Sequence, residues 1–336
     1  MAKVKFRFRP DTFLLLLLAV LAFATLLPAR GVAAGWLQTA TTVGITLLFF
    51  LHGAKLSRQA IIAGIGAWKV HLLVLGITFA IFPLIGVASV WALGASIDPV
   101  VASGFIFLCI LPSTVQSSIA ITAIAQGNVP TAVCSASLSN VLGIVLTPLL
   151  ATVLMQGREA ADGFFLSALL SISTTLLLPF AVGHLSRPLI GRFIDRHKAL
   201  VMRTDRGVIL LVVYTAFSAA VVQGLWTRLS TTDLVTIALL DTMLLALVLM
   251  AAFYISRIAK LPHEDEVVLM FCGSQKSLAS GVPMAGALFP PAQVGFIVLP
   301  LMLYHQLQLI VCTALAQAYA RRSESRLKTE ESQYVV

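Results

Sequence analysis

Cys109-Ile110-Leu111-Pro112-Ser113-Thr114-Val115-Gln116-Ser117-Ser118-Ile119-Ala120 and Phe271-Cys272-Gly273-Ser274-Gln275-Lys276-Ser277-Leu278-Ala279 are two versions of one pattern. Each has an apolar run, a helix breaker, and then Gln-x-Ser-(Ile/Leu)-Ala. Proline removes a backbone donor and glycine relaxes the chain, so both stretches are expected to be interrupted helices. Bare N–H and C=O groups at membrane depth are tolerated only against protein or a wet cavity. Two such breaks facing one another would offer half-helix ends, hydroxyls and amides to a polar ligand. The plainer alternative is a pair of kinks whose Ser and Thr side chains bond the preceding turn.

The surroundings of both stretches are apolar throughout. The 336 residues are 59% hydrophobic and 11% charged, with a mean hydropathy of +0.97. A soluble domain carries about 25% charged residues to face water, so lipid is expected to be the outer solvent. A helix needs about 20 mostly apolar residues to cross the hydrocarbon core. Candidate spans fall near 12–28, 36–54, 70–94, 100–125, 129–154, 164–186, 206–223, 233–257, 266–289 and 293–318. Cys109, Cys134, Cys272 and Cys312 lie inside these apolar runs without metal-ligand spacing and read as small core hydrophobes.

The net charge of +9 would suit nucleic acid in a soluble protein, but its placement points to the membrane instead. Lys3, Lys5, Arg7 and Arg9 precede the first span, and Lys55, Arg58 and Lys69 surround the second connection. Arg187, Arg192, Arg196, Lys198, Arg203 and Arg206 fill the sixth, with Arg257 and Lys260 in the eighth. Arg321, Arg322, Arg326 and Lys328 follow the last span. Nineteen of the 23 basic residues thus fall on one side; Arg30, Arg158 and Arg228 fall on the other, and Lys276 lies inside a span. The positive-inside rule puts both termini in the cytoplasm, which requires an even number of spans. Ten fits, and a bacterial inner membrane is the expected location.

Internal symmetry divides the ten. The first span ends Leu26-Leu27-Pro28 before Gly31, and the sixth Leu177-Leu178-Pro179 before Gly183. The fifth holds Gly143-Ile144-Val145-Leu146-Thr147-Pro148, and the tenth Gly295-Phe296-Ile297-Val298-Leu299-Pro300. The fold expected is therefore all-α and integral to the membrane, with two inverted five-helix repeats (residues 1–157 and 158–320) and broken, crossed helices 4 and 9. Inverted repeats are a transporter architecture, with substrate near the midplane where the halves meet. The mixed-charge tail 321–336 is expected to be disordered. The basic start, Leu-rich run and Val32-Ala33-Ala34 also imitate a cleavable signal peptide, a reading opposed by the repeat partner of the first span.

Three stretches carry a closer resemblance: Phe49-Phe50-Leu51-His52-Gly53-Ala54-Lys55-Leu56-Ser57, the segment from Pro112 to Pro148 with Gly127-Asn128, and Phe271 to Leu278. The chain resembles the bile acid:sodium symporter family across all ten spans, most closely its seventh-member-type branch found in bacteria and animals. The resemblance implies a panel of spans 1, 2, 6 and 7 and a core of spans 3, 4, 5, 8, 9 and 10. Substrate would bind between them, with alternating access by helix rearrangement. Where sodium-coupled members begin the second half of span 4 with Ser-Asn, this chain has Ser117-Ser118. Their Glu-x-Gly-x-Gln-Asn motif corresponds to Phe271-Cys272-Gly273-Ser274-Gln275-Lys276, and their span-3 glutamine to Thr78. Only Gln275 and the Ser117 hydroxyl match, so sodium coupling is not expected to be retained as in those members.

The residues expected to contact substrate or ion are Ser113, Thr114, Gln116, Ser117 and Ser118 in the first break, and Ser274, Gln275, Lys276 and Ser277 in the second. Thr78, Asn140, Asp241 and His305 join them. Asp241 is read either as facing a partner or cavity, or as reaching the periplasmic interface. Asn140 and His305 are read either as ligand contacts or as interhelical hydrogen bonds. Lys276 stands ten residues into its span, about 15 Å at 1.5 Å per residue, near the bilayer midplane. A tethered ammonium there, held by the Ser117 and Ser118 hydroxyls and by exposed carbonyls, would take the place and charge of a sodium ion. Asp241 is the candidate counter-ion. Transport would be sodium-independent or proton-coupled. The alternative is that Lys276 only fixes helix packing. The function expected is a secondary transporter of a small organic solute, an anion by the resemblance, with the lipid bilayer as partner and neither nucleic acid nor a cofactor. A channel or a membrane scaffold is the competing class. An intramembrane enzyme is disfavoured because adjacent Lys276 and Ser277 point about 100° apart on a helix and no acidic dyad accompanies them.

Overall fold

Where the apolar runs lie, helices form. The structure, a computed structural model, describes residues 12–55, 65–94, 97–155 and 173–333, and those residues form helices and connections without a strand. In order these are α1 (Thr12–Leu26), α2 (Gly31–Lys55), α3 (Trp68–Leu93), α4 (Pro99–Ile110), α5 (Gln116–Ile124) and α6 (Val129–Met155). There follow α7 (Leu178–Arg196), α8 (Lys198–Val222), the short α9 (Leu225–Arg228), α10 (Thr231–Ile258), α11 (His263–Ser274), α12 (Leu278–Leu288) and α13 (Pro291–Gln333). Among the described residues six helices are long and apolar enough to cross a membrane: α2, α3, α6, α8, α10 and the Pro291–Arg321 part of α13. Helices α4 and α5, 12 and 9 residues long, and α11 and α12, 12 and 11, are each too short to do so alone.

Local chemistry sets several starts. Asp98 caps α4 by accepting from the Val100 and Val101 N–H groups at 2.7 and 3.4 Å, with Pro99 at the first helical position. Ser230 and Asp233 form a reciprocal capping box at the start of α10. In α3 the helix widens into a π turn at Ile77–Ile81, just before Pro83.

The helices assemble in two groups. Helices α1, α2, α7 and α8 pack on one another, while α3, α4, α5, α6, α10, α11 and α13 pack together; α8 joins the groups through α12 and α13. Helices α2 and α7 meet backbone to backbone. A Cβ on Gly53 would stand 2.0 Å from the Phe180 carbonyl oxygen, and one on Gly183 2.0 Å from that of Phe50. Only glycine permits this crossing at either position.

Two expectations about helix ends need correction. The sixth connection, expected to hold six basic residues, is almost absent, because α7 runs to Arg196 and α8 begins at Lys198. Lys and Arg are good helix formers, so hydropathy marked the edge of the apolar run and not of the helix. Likewise α13 continues to Gln333 through the tail expected to be disordered, a stretch rich in Arg, Glu, Lys and Gln. The connection at Gln156–Gly163 and the start of the sixth span lie outside the described residues. So do Lys3 to Arg9, Arg58 and Arg158.

Candidate functional site

In a regular helix each C=O accepts from the N–H four residues later. Leu111, the residue before Pro112, is extended (φ −74°, ψ 156°), as proline requires of its predecessor, and α4 stops there. The carbonyls released at the break find partners outside their own helix. That of Ile110 accepts from Thr147 Oγ1 at 2.8 Å, that of Pro112 from the Ser277 N–H at 3.0 Å, and that of Ser113 from Asn140 Nδ2 at 2.6 Å. The Ser113 N–H donates to Ser139 Oγ at 3.0 Å. The carbonyls of Cys109 and Leu111 remain, and both point to Lys276.

The second break has a different cause from the one expected. Gly273 lies within α11, and a Cβ there would meet Ile77 Cδ1 at 3.2 Å, so it permits a close helix contact. The chain opens after Ser274, with Gln275 (φ −96°, ψ 145°) and Ser277 (φ −85°, ψ 108°) extended. Helix α13 holds it open. Gln308 Oε1 accepts from the Lys276 N–H at 2.7 Å, and its Nε2 donates to the Lys276 carbonyl at 2.9 Å. Tyr304 donates to the Ser274 carbonyl at 2.8 Å. Ser277 then caps α12 by accepting from the Ser280 N–H at 3.1 Å.

The Lys276 side chain is fully buried between the breaks. Its ammonium donates to the carbonyls of Thr78, Cys109 and Leu111 at 2.9, 2.8 and 2.7 Å, which uses all three of its protons. The Phe82 ring lies with its centroid 3.9 Å from Nζ. The Thr78 carbonyl is free for this because of the π turn. The Phe82 N–H, its helical partner, bonds Ile77 instead, and the next residue, Pro83, has no N–H. A spare acceptor in α3 and two in the α4 break thus converge on one cation.

Beside this cage the two polar stretches meet. Gln275 Oε1 accepts from Ser117 Oγ at 2.7 Å and Ser118 Oγ at 3.2 Å. Thr114 Oγ1 lies 3.1 Å from Ser117 Oγ. Ser113 donates to the Cys272 carbonyl at 2.6 Å, and Ser118 Oγ lies 3.2 Å from that of Phe271. Asn140 bridges the two, since its Oδ1 accepts from Ser280 Oγ at 2.7 Å. His305 Nδ1 is 2.8 Å from Gln308 Nε2 and 3.5 Å from the Lys276 carbonyl.

Some expected members stand apart. The Ser117 and Ser118 hydroxyls serve Gln275 and not the ammonium, which the carbonyls already saturate. Ser274 Oγ bonds back to the Met270 carbonyl at 2.6 Å within α11. Gln116 is exposed and turns toward Met202 of α8, its Nε2 3.7 Å from the sulfur. Asp241 is fully buried in α10, and among the described residues neither carboxylate oxygen has a hydrogen-bond partner. The ion pairs among those residues are Lys55–Asp205, Arg187–Asp195 and Arg257–Glu266, so Asp241 does not pair with Lys276. Gln308, Tyr304, Phe82, Ser139, Thr147 and Ser280 were not anticipated as members. The sequence marks two of them as polar side chains in apolar runs: Gln308, one helical turn after His305, and Ser139, next to Asn140.

The family model described as the SBF-like CPA transporter family matches residues 11–321 of this chain. The protein PA2026 of Pseudomonas aeruginosa is 52% identical over 318 residues, 95% of each chain. YfeH of Escherichia coli K12 is 48% identical over 322 residues, 96% of each chain. Sodium/bile acid cotransporter 7 of Danio rerio is 26% identical over 334 residues, 96% of this chain and 97% of its own. With several apolar helices of membrane-crossing length and matches spanning nearly its whole extent, the chain is a multi-pass membrane protein belonging to the SBF-like CPA transporter family, whose members imply a small-molecule substrate.

Proposed function

We propose that the chain is a secondary transporter of a small organic anion in which the Lys276 ammonium replaces a coupling sodium ion, so that uptake does not require sodium. The observation that carries this reading is the carbonyl cage around Nζ. Three backbone oxygens released by a π turn and a proline break surround one monovalent charge, as they would surround a bound ion. An unpaired ammonium at this depth costs at least ~2.5–3.5 kcal/mol, and the cage supplies the compensating bonds. The anionic solute rests on family likeness and on the name of the Danio rerio relative, a sodium/bile acid cotransporter. The departures at Phe271 and Lys276 from the sodium motif argue against carrying over its coupling ion.

The frame for this activity is ten spans in two inverted repeats, 1–157 and 158–320, in a bacterial inner membrane with both termini cytoplasmic. Helices α4 with α5, and α11 with α12, each act as one broken span. The reciprocal contacts of the breaks support that frame: Ser277 donates to Pro112 and Ser113 to Cys272. An amide from the following long helix tends each break, Asn140 the first and Gln308 the second. The group of α1, α2, α7 and α8 would be the panel, the remaining long and broken helices the core, and solute would pass between them. Ser113, Thr114, Ser117, Ser118, Gln275 and Ser277 form the polar lining, with Gln116 facing the panel. No catalytic role is assigned to these residues.

The test starts from an anion library screened by thermal stabilisation, followed by uptake of the stabilising solute into proteoliposomes with sodium replaced by choline. Wild-type uptake should persist in choline. In Phe271→Glu/Lys276→Asn, which restores the sodium motif at both positions, uptake should become sodium-dependent. Strict sodium dependence of the wild type sinks the proposal.

A further inference from the structure

Two acids are buried among the described residues, Glu266 and Asp241. Glu266 is ion-paired with Arg257 and accepts from Tyr319 at 2.9 Å. Asp241 has neither kind of partner, since no described residue bonds either of its oxygens. Its helix, α10, packs on α3, α4, α11 and α13. The titratable groups that these elements bring within its electrostatic range are Cys109 of α4 and Tyr304 of α13. The π turn of α3 contributes no titratable side chain, and the Thr78 hydroxyl in it is likewise buried without a partner. On α11, Glu266 is engaged as described and the Cys272 thiol is directed at the Ala132 carbonyl. Beyond α11 comes Lys276, whose ammonium bonds the carbonyl of that same Cys109. The acid and the cation thus both act on Cys109 and do not form an ion pair.

A carboxylate with neither a donor nor a touching cation is costly at membrane depth, whereas the neutral acid is tolerated. We propose that Asp241 is a proton-binding site of the transport cycle, carrying its proton in the conformation described here. When the site opens, the carboxyl O–H bond breaks, the proton passes to water and the electron pair stays on the carboxylate. That carboxylate then competes with the Thr78, Cys109 and Leu111 carbonyls for the Lys276 ammonium and loosens the contact between the breaks. A metal cation is the poorer occupant, because the ammonium already supplies a positive charge at the Cys109 that faces the acid. The coupling step rests on the tethered-ammonium reading; the proton on Asp241 does not.

The experiment is infrared difference spectroscopy of the full chain in phosphatidylethanolamine/phosphatidylglycerol vesicles, comparing the wild type with the isosteric Asp241→Asn. The carbonyl-stretch band of a protonated, dehydrated carboxylic acid should be present in the wild type and lost in the variant. As pH is raised until that band disappears, a cysteine introduced by Ser117→Cys should label several-fold faster with a water-soluble maleimide. In Asp241→Asn/Ser117→Cys the labelling rate should no longer follow that transition. A wild-type spectrum without a band that Asp241→Asn removes overturns the proposal. So does a band discharged by sodium chloride at constant pH, which makes the acid a sodium site. A band with unchanged labelling overturns the link to Lys276. Strict sodium dependence of uptake would remove the tethered-ammonium reading while leaving the infrared result standing, so the two failures are distinct.

Discussion

Lys276→Ala is the perturbation that separates a stand-in for an ion from a structural lysine. It leaves the carbonyls of Thr78, Cys109 and Leu111 buried without their donor. Each unsatisfied acceptor costs about 1–3 kcal/mol. Removing the ammonium returns its own burial cost of at least ~2.5–3.5 kcal/mol. The net is a loss of about 3 kcal/mol, close to the ~3–5 kcal/mol typical of removing one partner from a buried charged arrangement. For a chain this long that corresponds to a fall in Tm of about 4 °C. The four cysteines are all buried, so a thiol-reactive fluorophore reports unfolding directly. In choline chloride the variant should unfold below the wild type. In sodium chloride it should recover, since an ion at a hundred times its Kd restores about 2.7 kcal/mol. Ammonium chloride is the control whose size matches the cage as it stands. The wild type should be indifferent to the choice of salt. A variant as stable as the wild type in choline refutes the need for a cation among these carbonyls. A destabilised variant that neither sodium nor ammonium rescues makes Lys276 a packing residue.

Gln308→Leu removes both bonds to the Lys276 backbone, the N–H at 2.7 Å and the C=O at 2.9 Å. Two buried groups are left unpaired at about 1–3 kcal/mol each, so thermal stability should fall about as far as in Lys276→Ala. Gln308→Glu keeps the acceptor and should lose about half as much; equal losses in the two variants would mean that α13 does not hold the break open through these bonds. For topology, with nineteen basic residues on one side against three on the other, reporters fused to either terminus should read cytoplasm. A periplasmic C-terminus removes the even span count and with it the repeat division.

The sequence showed where backbone groups are released more clearly than it showed what receives them. Pro112 is visible as a break because proline acts on its own neighbours, and the extended Leu111 follows from that alone. The second break lies in the expected stretch, but its cause differs from the expected glycine. Gly273 stays helical, and the opening is held by Gln308, 32 residues further along the chain. No local pattern encodes such a partner. Thr78 illustrates the same limit. Resemblance selected the position for its side chain, yet the structure uses its carbonyl, freed by a π turn whose only local sign is Pro83. The helix ends at Arg196 and Lys198 were missed because charge ends an apolar run without ending a helix.

Lys276 was legible as a charge at depth, and its partners follow from counting. An ammonium has three protons, and a fully buried one needs three acceptors. Once the hydroxyls of Ser117 and Ser118 are committed to Gln275, carbonyls have to supply them. A helical carbonyl is left without its own helical donor where the N–H four residues later is missing or diverted. Around this site that condition is met at the Pro112 break and at the π turn before Pro83. Both lie in sequence where proline put them, so the two prolines, more than the lysine, determine that a monovalent cation can rest between these helices.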